Sequence, residues 1–213
     1  MKEGIKMSLH VFKHPLMKHK MSIIRDKNCS TKMFREVVEE LSTLMVYEVS
    51  RNFELNTIEI ETPISKTVGY ELARDIVIVP ILRAGLGMTQ GIQNLIPSVK
   101  IAHIGMYRDH DTLLPQPYYA KYPKNIKESK CFILDPLLAT GGSVSKAIEL
   151  LIEQGVKDIT VLSIIGVQVG VDKILNKYPD IDIYLISLDE KLNADAYIVP
   201  GLGDAGDRLF GTK

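Results

Sequence analysis

The chain has 213 residues, 46% of them apolar and 24% charged, which is the composition of an ordinary globular protein and excludes a disordered chain. That length fits a single domain, residues 1–213, with a sizeable core. Lys plus Arg equals Asp plus Glu at 26 each, with no long basic run, so nucleic acid is not favoured as a main partner, whereas a small anionic ligand needs only a few local arginines.

Along the chain, residues 1–6 read as an extension, because Met7-Ser8 is an equally good start. No charged-then-apolar leader and no apolar stretch of membrane-spanning length follow, so no membrane partner is expected. The basic stretch Lys13-His14 to Lys18-His19-Lys20 reads as a solvated or interface segment. Cys29 and Cys131, the two cysteines, give neither a disulfide framework nor a closed zinc site and suit a reducing cytoplasm. Residues 30–50 predict the first clear helix: Ser30 offers a cap, and Met33, Val37, Leu41, Leu44, Met45 and Val49 recur on one face.

From residue 76 the pattern changes to short apolar runs alternating with helical segments. Ile76-Val77-Ile78-Val79 reads as a buried strand, followed by a helix from about Gly87 to Leu95 and a strand from Ile101 to Ile104. Cys131 to Leu134 is a third strand, opening on a core cysteine, and a helix from Ser143 to about Gln154 stops at Gly155. Strands at Ile159 to Ile165 and Ile181 to Ser187 flank a helix near Val171 to Lys177. Such alternation predicts an α/β fold with a mostly parallel twisted sheet flanked by helices. Ligands of such sheets gather at the carboxyl ends of the strands.

Just after a strand lies Asp135-Pro136-Leu137-Leu138-Ala139-Thr140-Gly141-Gly142-Ser143. Its glycines let the backbone approach an anion closely, the helix that follows presents its positive end, and Thr140 and Ser143 add hydroxyl donors. An acid directly after the strand suits sugar hydroxyls rather than a phosphate. Asp135 therefore reads as a ribose anchor and residues 139–143 as a phosphate cradle. No Gly-Lys-Thr/Ser tail follows, which disfavours a nucleoside-triphosphatase loop. A bare strand-to-helix bend would need the glycines but not the acid and hydroxyls beside them.

The segment resembles the signature by which type I phosphoribosyltransferases bind phosphoribosyl pyrophosphate (PRPP), in the form found in uracil phosphoribosyltransferases, where Pro136 replaces a second acid. Pro80-Ile81-Leu82-Arg83-Ala84-Gly85-Leu86-Gly87 resembles the family's pyrophosphate loop, with Arg83 as the fork for a diphosphate. Residues 105–122, with Met106-Tyr107-Arg108 at their start, show no clear periodicity and resemble its flexible flap, in which Arg108 contacts pyrophosphate. The family usually has acids two and three positions after that Arg; here they are His110 and Asp111. Residues 190–210 resemble its uracil-binding hood: Ile198, Gly203, Asp204 and Ala205 match base-contacting positions, and Asp204 a PRPP-contacting one.

The resemblance implies a pyrimidine-salvage enzyme that converts uracil and PRPP to UMP and pyrophosphate. Arg83, Arg108 and Asp204 would carry the chemistry. Mg²⁺ would be brought in on PRPP with no protein ligand, and Asp204 is the candidate acceptor of the uracil N1 proton. It also implies a homo-oligomer, dimer or tetramer, and GTP as an activator in some members. A UMP-sensing RNA-binding regulator competes with this reading, and the even charge balance disfavours it. A transferase for another base competes too, and the Gly-Leu-Gly-Asp-Ala-Gly-Asp run of the hood disfavours that.

Overall fold

The computed structural model describes residues 8–108, the last for its backbone only, and residues 115–212. The strands are β1 (Leu9–Val11), β2 (Leu55–Glu61), β3 (Lys66–Leu72), β4 (Ile76–Leu82), β5 (Lys100–Ile101), β6 (His103–Arg108), β7 (Pro115–Lys121), β8 (Lys130–Leu134), β9 (Leu137–Leu138), β10 (Asp158–Val167), β11 (Asp182–Asp189), β12 (Lys191–Leu192) and β13 (Ile198–Val199). The helices are α1 (Pro15–Arg25), α2 (Thr31–Val49), α3 (Thr89–Leu95), α4 (Gly142–Glu153), α5 (Gln168–Lys177) and α6 (Ala205–Phe210).

Continuous apolar runs build the centre. The main sheet has the order β1-β11-β10-β8-β4-β6-β7, with β5 beside β4 and β9 beside β10. Every pairing is parallel except β6 with β7. Alternate residues of one strand serve opposite faces. Ile76, Ile78, Phe132 and Leu134 join α1, α2, α3 and α6 in one core layer. Val77, Val79, Cys131 and Ile133 join α4 and α5 in the other. The expected covered, mostly parallel sheet is the observed one. Arg83, Asp135 and the segment after Asp189 each follow the carboxyl end of a strand, which puts them on one rim.

Helix α2 forms as expected, and Ser30 Oγ accepts the Met33 N–H at 3.2 Å. The basic stretch before it is also helical. Pro15 sits in the first turn of α1, His14 accepts the Leu16 N–H at 3.2 Å, and Met17, Met21 and Ile24 are buried. Lys18, His19 and Lys20 stand in sequence between Met17 and Met21 of that apolar stripe and masked its period. Residues 84–88 form a 3₁₀ turn, so the helix expected from Gly87 begins at Thr89. The stretch after Arg108, read as aperiodic, contains β7 from Pro115 to Lys121, antiparallel to β6. Its prolines hide the strand from a pattern reading, and an edge strand tolerates them. Among the described residues no helix is long and apolar enough to cross a membrane.

Candidate active site

The Asp135 turn is pinned to its neighbouring strand before it bends. Asp135 N–H donates to Leu162 O at 3.3 Å, and Pro136 O accepts from Ile164 and Ile165 N–H at 3.1 and 3.0 Å. Leu137 and Leu138 then pair as β9 with Ile165 and Gly166 of β10. The chain reverses at Gly141, whose φ of 72° is in the left-handed region, and α4 starts at the next residue. Among the described residues no side chain caps α4, which leaves the first-turn N–H groups and the helix dipole for an anion. Thr140, Gly142 and Ser143 are half-buried around this end.

The turn is backed by a glycine outside the motif. A methyl on Gly170, in the first turn of α5, would lie 2.3 Å from Ala139 O, and one on Gly141 would lie 2.8 Å from Gly170 O. Two glycines facing each other set the depth of the cradle. On another side, a methyl on Gly142 would come 3.6 Å from the Pro115 ring, so β7 reaches the cradle's edge. Asp135 is half-buried. Burial pushes its carboxyl up to about 7, against a weaker pull from the Leu137 N–H, which donates to Oδ1 at 3.3 Å.

Arg83 follows β4 directly, and the Leu82–Arg83 peptide is cis. A methyl on Gly85 would lie 2.4 Å from Leu134 O, so the Arg83 loop rests on the end of the strand that carries Asp135. The Arg83 side chain is 58% exposed, faces Asp207 Oδ1 at 3.6 Å and lies over the Phe210 ring at 5.7 Å. An exposed ion pair of this kind contributes little, so the guanidinium is available to a diphosphate, which offers it stronger bidentate bonds.

The C-terminal segment folds back over this rim. β12 and β13 form a short antiparallel pair, closed by Asn193 Oδ1, which accepts from Asp195 and Tyr197 N–H at 3.0 and 2.8 Å. The Val199–Pro200 peptide is cis, and Gly201 and Gly203 have φ of 63° and 81°. Asp204 caps α6, its Oδ1 accepting the Asp207 N–H at 2.9 Å. Ile198 and Ala205 are buried. A cavity of about 520 Å³ runs along the hood, lined among others by Arg25, Lys27, Tyr197, Gly203, Asp204 and Arg208.

Thus Arg83, the Asp204 end of α6 and the strand end bearing Asp135 share one rim. The expected Arg108 ends β6 on the same rim, with its side chain, His110 and Asp111 outside the described residues. Gly170, Arg25 and Asp189 were not foreseen, and Asp207 closes the Gly-rich hood run without having been singled out. The first three reach the site from distant parts of the chain, and none sits in a local pattern that marks it.

The uracil phosphoribosyltransferase family model matches residues 11–212. A uracil phosphoribosyltransferase of Pediococcus pentosaceus is 56% identical over 204 residues, covering 95% of this chain and 98% of the relative. One from Staphylococcus carnosus is 53% identical over 206 residues, covering 96% and 99%. The solved structure of AQ2163 protein from Aquifex aeolicus superposes with a TM-score of 0.91 at 34% identity, over 96% of this chain and 99% of that one. A hypoxanthine phosphoribosyltransferase from Staphylococcus aureus shares the fold at a TM-score of 0.51 and 14% identity, over 74% and 76%. A match this long and this close, on a rim built as described, means that the chain belongs to the uracil phosphoribosyltransferase family.

Proposed function

We infer that the chain joins uracil to the ribose of PRPP, giving UMP and pyrophosphate in pyrimidine salvage. The observation that carries this reading is the turn 135–143: an acid at the strand end, then an uncapped helix start seated on glycines. In this reading Asp135 accepts hydrogen bonds from the ribose hydroxyls, residues 136–138 line the PRPP site, and residues 139–143 hold the 5′-phosphate with main-chain N–H groups and the Thr140 and Ser143 hydroxyls. The substrate is Mg·PRPP, whose ion is held by substrate oxygens and water.

The C1′–O bond to pyrophosphate breaks as the N1–C1′ bond forms, and negative charge grows on the departing diphosphate. Arg83 and Arg108 stabilise that charge, which is where catalytic advantage concentrates in such a displacement. Ile198, Gly203, Asp204 and Ala205 hold the uracil edge, largely through main-chain groups. A base with a different donor–acceptor edge would leave buried groups unpaired, at about 1–3 kcal/mol each. The N1 proton passes to the Asp204 carboxylate.

Mixing the protein with PRPP, Mg²⁺ and each free base in turn tests the reading. UMP from uracil is expected, and nucleotide from a different base instead would overturn it. Asp204→Asn isolates the proton transfer, because Asn caps a helix as well as Asp does. The variant should lose about 10²-fold in kcat with a smaller change in PRPP binding. Equal losses in both would remove Asp204 as the acceptor.

The chain also reads as a homo-oligomer. β2 and β3 form a separate two-stranded ribbon that exposes Ile64, Val68 and Tyr70 at 94%, 60% and 67%, a concentration of apolar surface that a second copy would cover. Its mass in solution decides this. GTP as an activator rests on the resemblance alone, and initial velocities with and without it decide that. The separate thiols of Cys29 and the buried Cys131 suit the reducing cytoplasm as the place of work.

A further inference from the structure

The hood is held from behind by a network that its own sequence does not contain. Arg25 is the last residue of α1, and Asp189 ends β11, 164 positions later. Arg25 Nη1 donates to Asp189 Oδ2 and Nη2 to Asp189 Oδ1, at 2.7 and 2.5 Å, a two-pronged pair. Nη1 also donates to Gly201 O at 2.7 Å, and the Gly201 N–H donates to Asp189 Oδ2 at 2.9 Å. Ser187 Oγ accepts from Arg25 Nη2 at 3.0 Å and donates to Asp189 Oδ1 at 2.7 Å. Both polar groups of the Gly201 backbone are therefore tied to one ion pair.

Gly201 is the point at which such a tie has most leverage. Its φ is 63°, and a methyl there would lie 2.0 Å from Ile198 O. Ile198 lies three residues before it, and Gly203 to Ala205 begin two residues after. Rotating this one peptide changes how Ile198, held in the β12–β13 pair, is placed relative to Gly203, Asp204 and Ala205. The Asp189 side chain is 3% exposed and the Arg25 side chain 25%, so water competes poorly for these bonds. Burial alone would raise the Asp189 carboxyl, yet the bonds from Arg25, Ser187 and Gly201 hold it below the usual carboxylate range. The pair is thus a fixed charged hub.

We propose that Arg25 and Asp189 are positioning residues for the base: they set the register of the uracil-reading backbone through Gly201. The proposal rests on the hood being the uracil site, as read above. It predicts a selective defect. The Arg83 loop and the Asp135 turn make none of these bonds, so the PRPP end of the site keeps its geometry except at Asp204, the one PRPP-contacting position on the hood.

Arg25→Lys retains the charge and removes the fork. The steady-state KM for uracil should rise about tenfold, the size expected when a few main-chain hydrogen bonds are misaligned. The KM for PRPP should stay within about twofold, in a variant whose melting curve shows it folded at assay temperature. Ser187→Ala removes a hydroxyl whose bonds are to Arg25 and Asp189, and should give a smaller rise in uracil KM in the same direction. If Arg25→Lys does not fold, Ser187→Ala decides alone. Equal rises in both KM values, or no rise in a folded variant, would overturn the clamp. Gly203→Ala keeps the two readings apart. An unchanged uracil KM there rejects the hood as the base site, whereas a raised one beside silent clamp variants rejects only Arg25 and Asp189.

Discussion

Asp135→Asn is expected to lower kcat/KM for PRPP about 10²-fold or more while making the protein more stable at pH 8. The loss follows from chemistry at the strand end: two ribose hydroxyls would exchange a charged acceptor for a neutral amide, and charge-assisted bonds are roughly twice as strong. The gain follows from burial, which raises this carboxyl from 3.8 to about 7. Between those values the unfolded chain releases the proton and the folded chain retains it. The group's favourable contribution is therefore complete below pH 3.8, declines as the pH rises and is gone above about 7. Asn carries no such term. At pH 8 the variant should be more stable by on the order of 3 kcal/mol, discounted from the full linkage value because water still reaches this half-buried group. The difference should shrink toward pH 4. Denaturant melts of both proteins at pH 4.5 and pH 8 check this, and a variant less stable at both would sink it. The wild-type kcat/KM for PRPP should also climb as the pH passes about 7, with no such climb in the variant.

The elements legible in the sequence are those whose signal is local. β4, β8 and β10 announce themselves because both faces of a central parallel strand are buried, so their residues run apolar without alternation. The cradle is legible for the same reason: acid, hydroxyls and glycines are consecutive, and the bend that presents them needs no other segment to be recognised. Helix α1 was missed because Met17, Met21 and Ile24 are matched in number by Lys18, His19 and Lys20, which stand together between the first two of them. The β2–β3 ribbon does alternate, Ile58 and Ile60 with Glu59 and Glu61 and Val68, Tyr70 and Leu72 with Thr67, Gly69 and Glu71, so its local signal was present and was missed beside the longer apolar runs. Within the site, Arg83 and Asp204 carry recognisable loops. Asp207 reads only as the last acid of the Gly-rich hood run, and Arg25 as one more basic residue in a stretch to which no element was assigned. Only the fold joins Arg25 to Asp189 and Gly201. A position whose role is to brace another backbone from across the chain leaves no periodicity and no spacing to read.

Gly170 is such a position, and Gly170→Ala separates helix propensity from close approach. In an exposed helix the change to Ala would stabilise by about 1 kcal/mol. Here the new methyl would stand 2.3 Å from Ala139 O and 3.0 Å from Leu138 O, and backbone atoms cannot turn aside as a side chain can. Overpacking of this kind costs about 1–3 kcal/mol, which exceeds the propensity gain over most of that range. The balance should fall on the side of a melting temperature lower by a few degrees. The larger effect should be functional. The atoms displaced belong to the turn that holds the 5′-phosphate, and a shift of about 1 Å in such a positioning element costs on the order of 10²-fold in rate. The loss should appear in kcat/KM for PRPP, with the KM for uracil at saturating PRPP little changed. A Gly170→Ala protein that melts higher than wild type and turns over normally would show that α5 can slide back from the turn, and that the two facing glycines do not set the depth of the cradle.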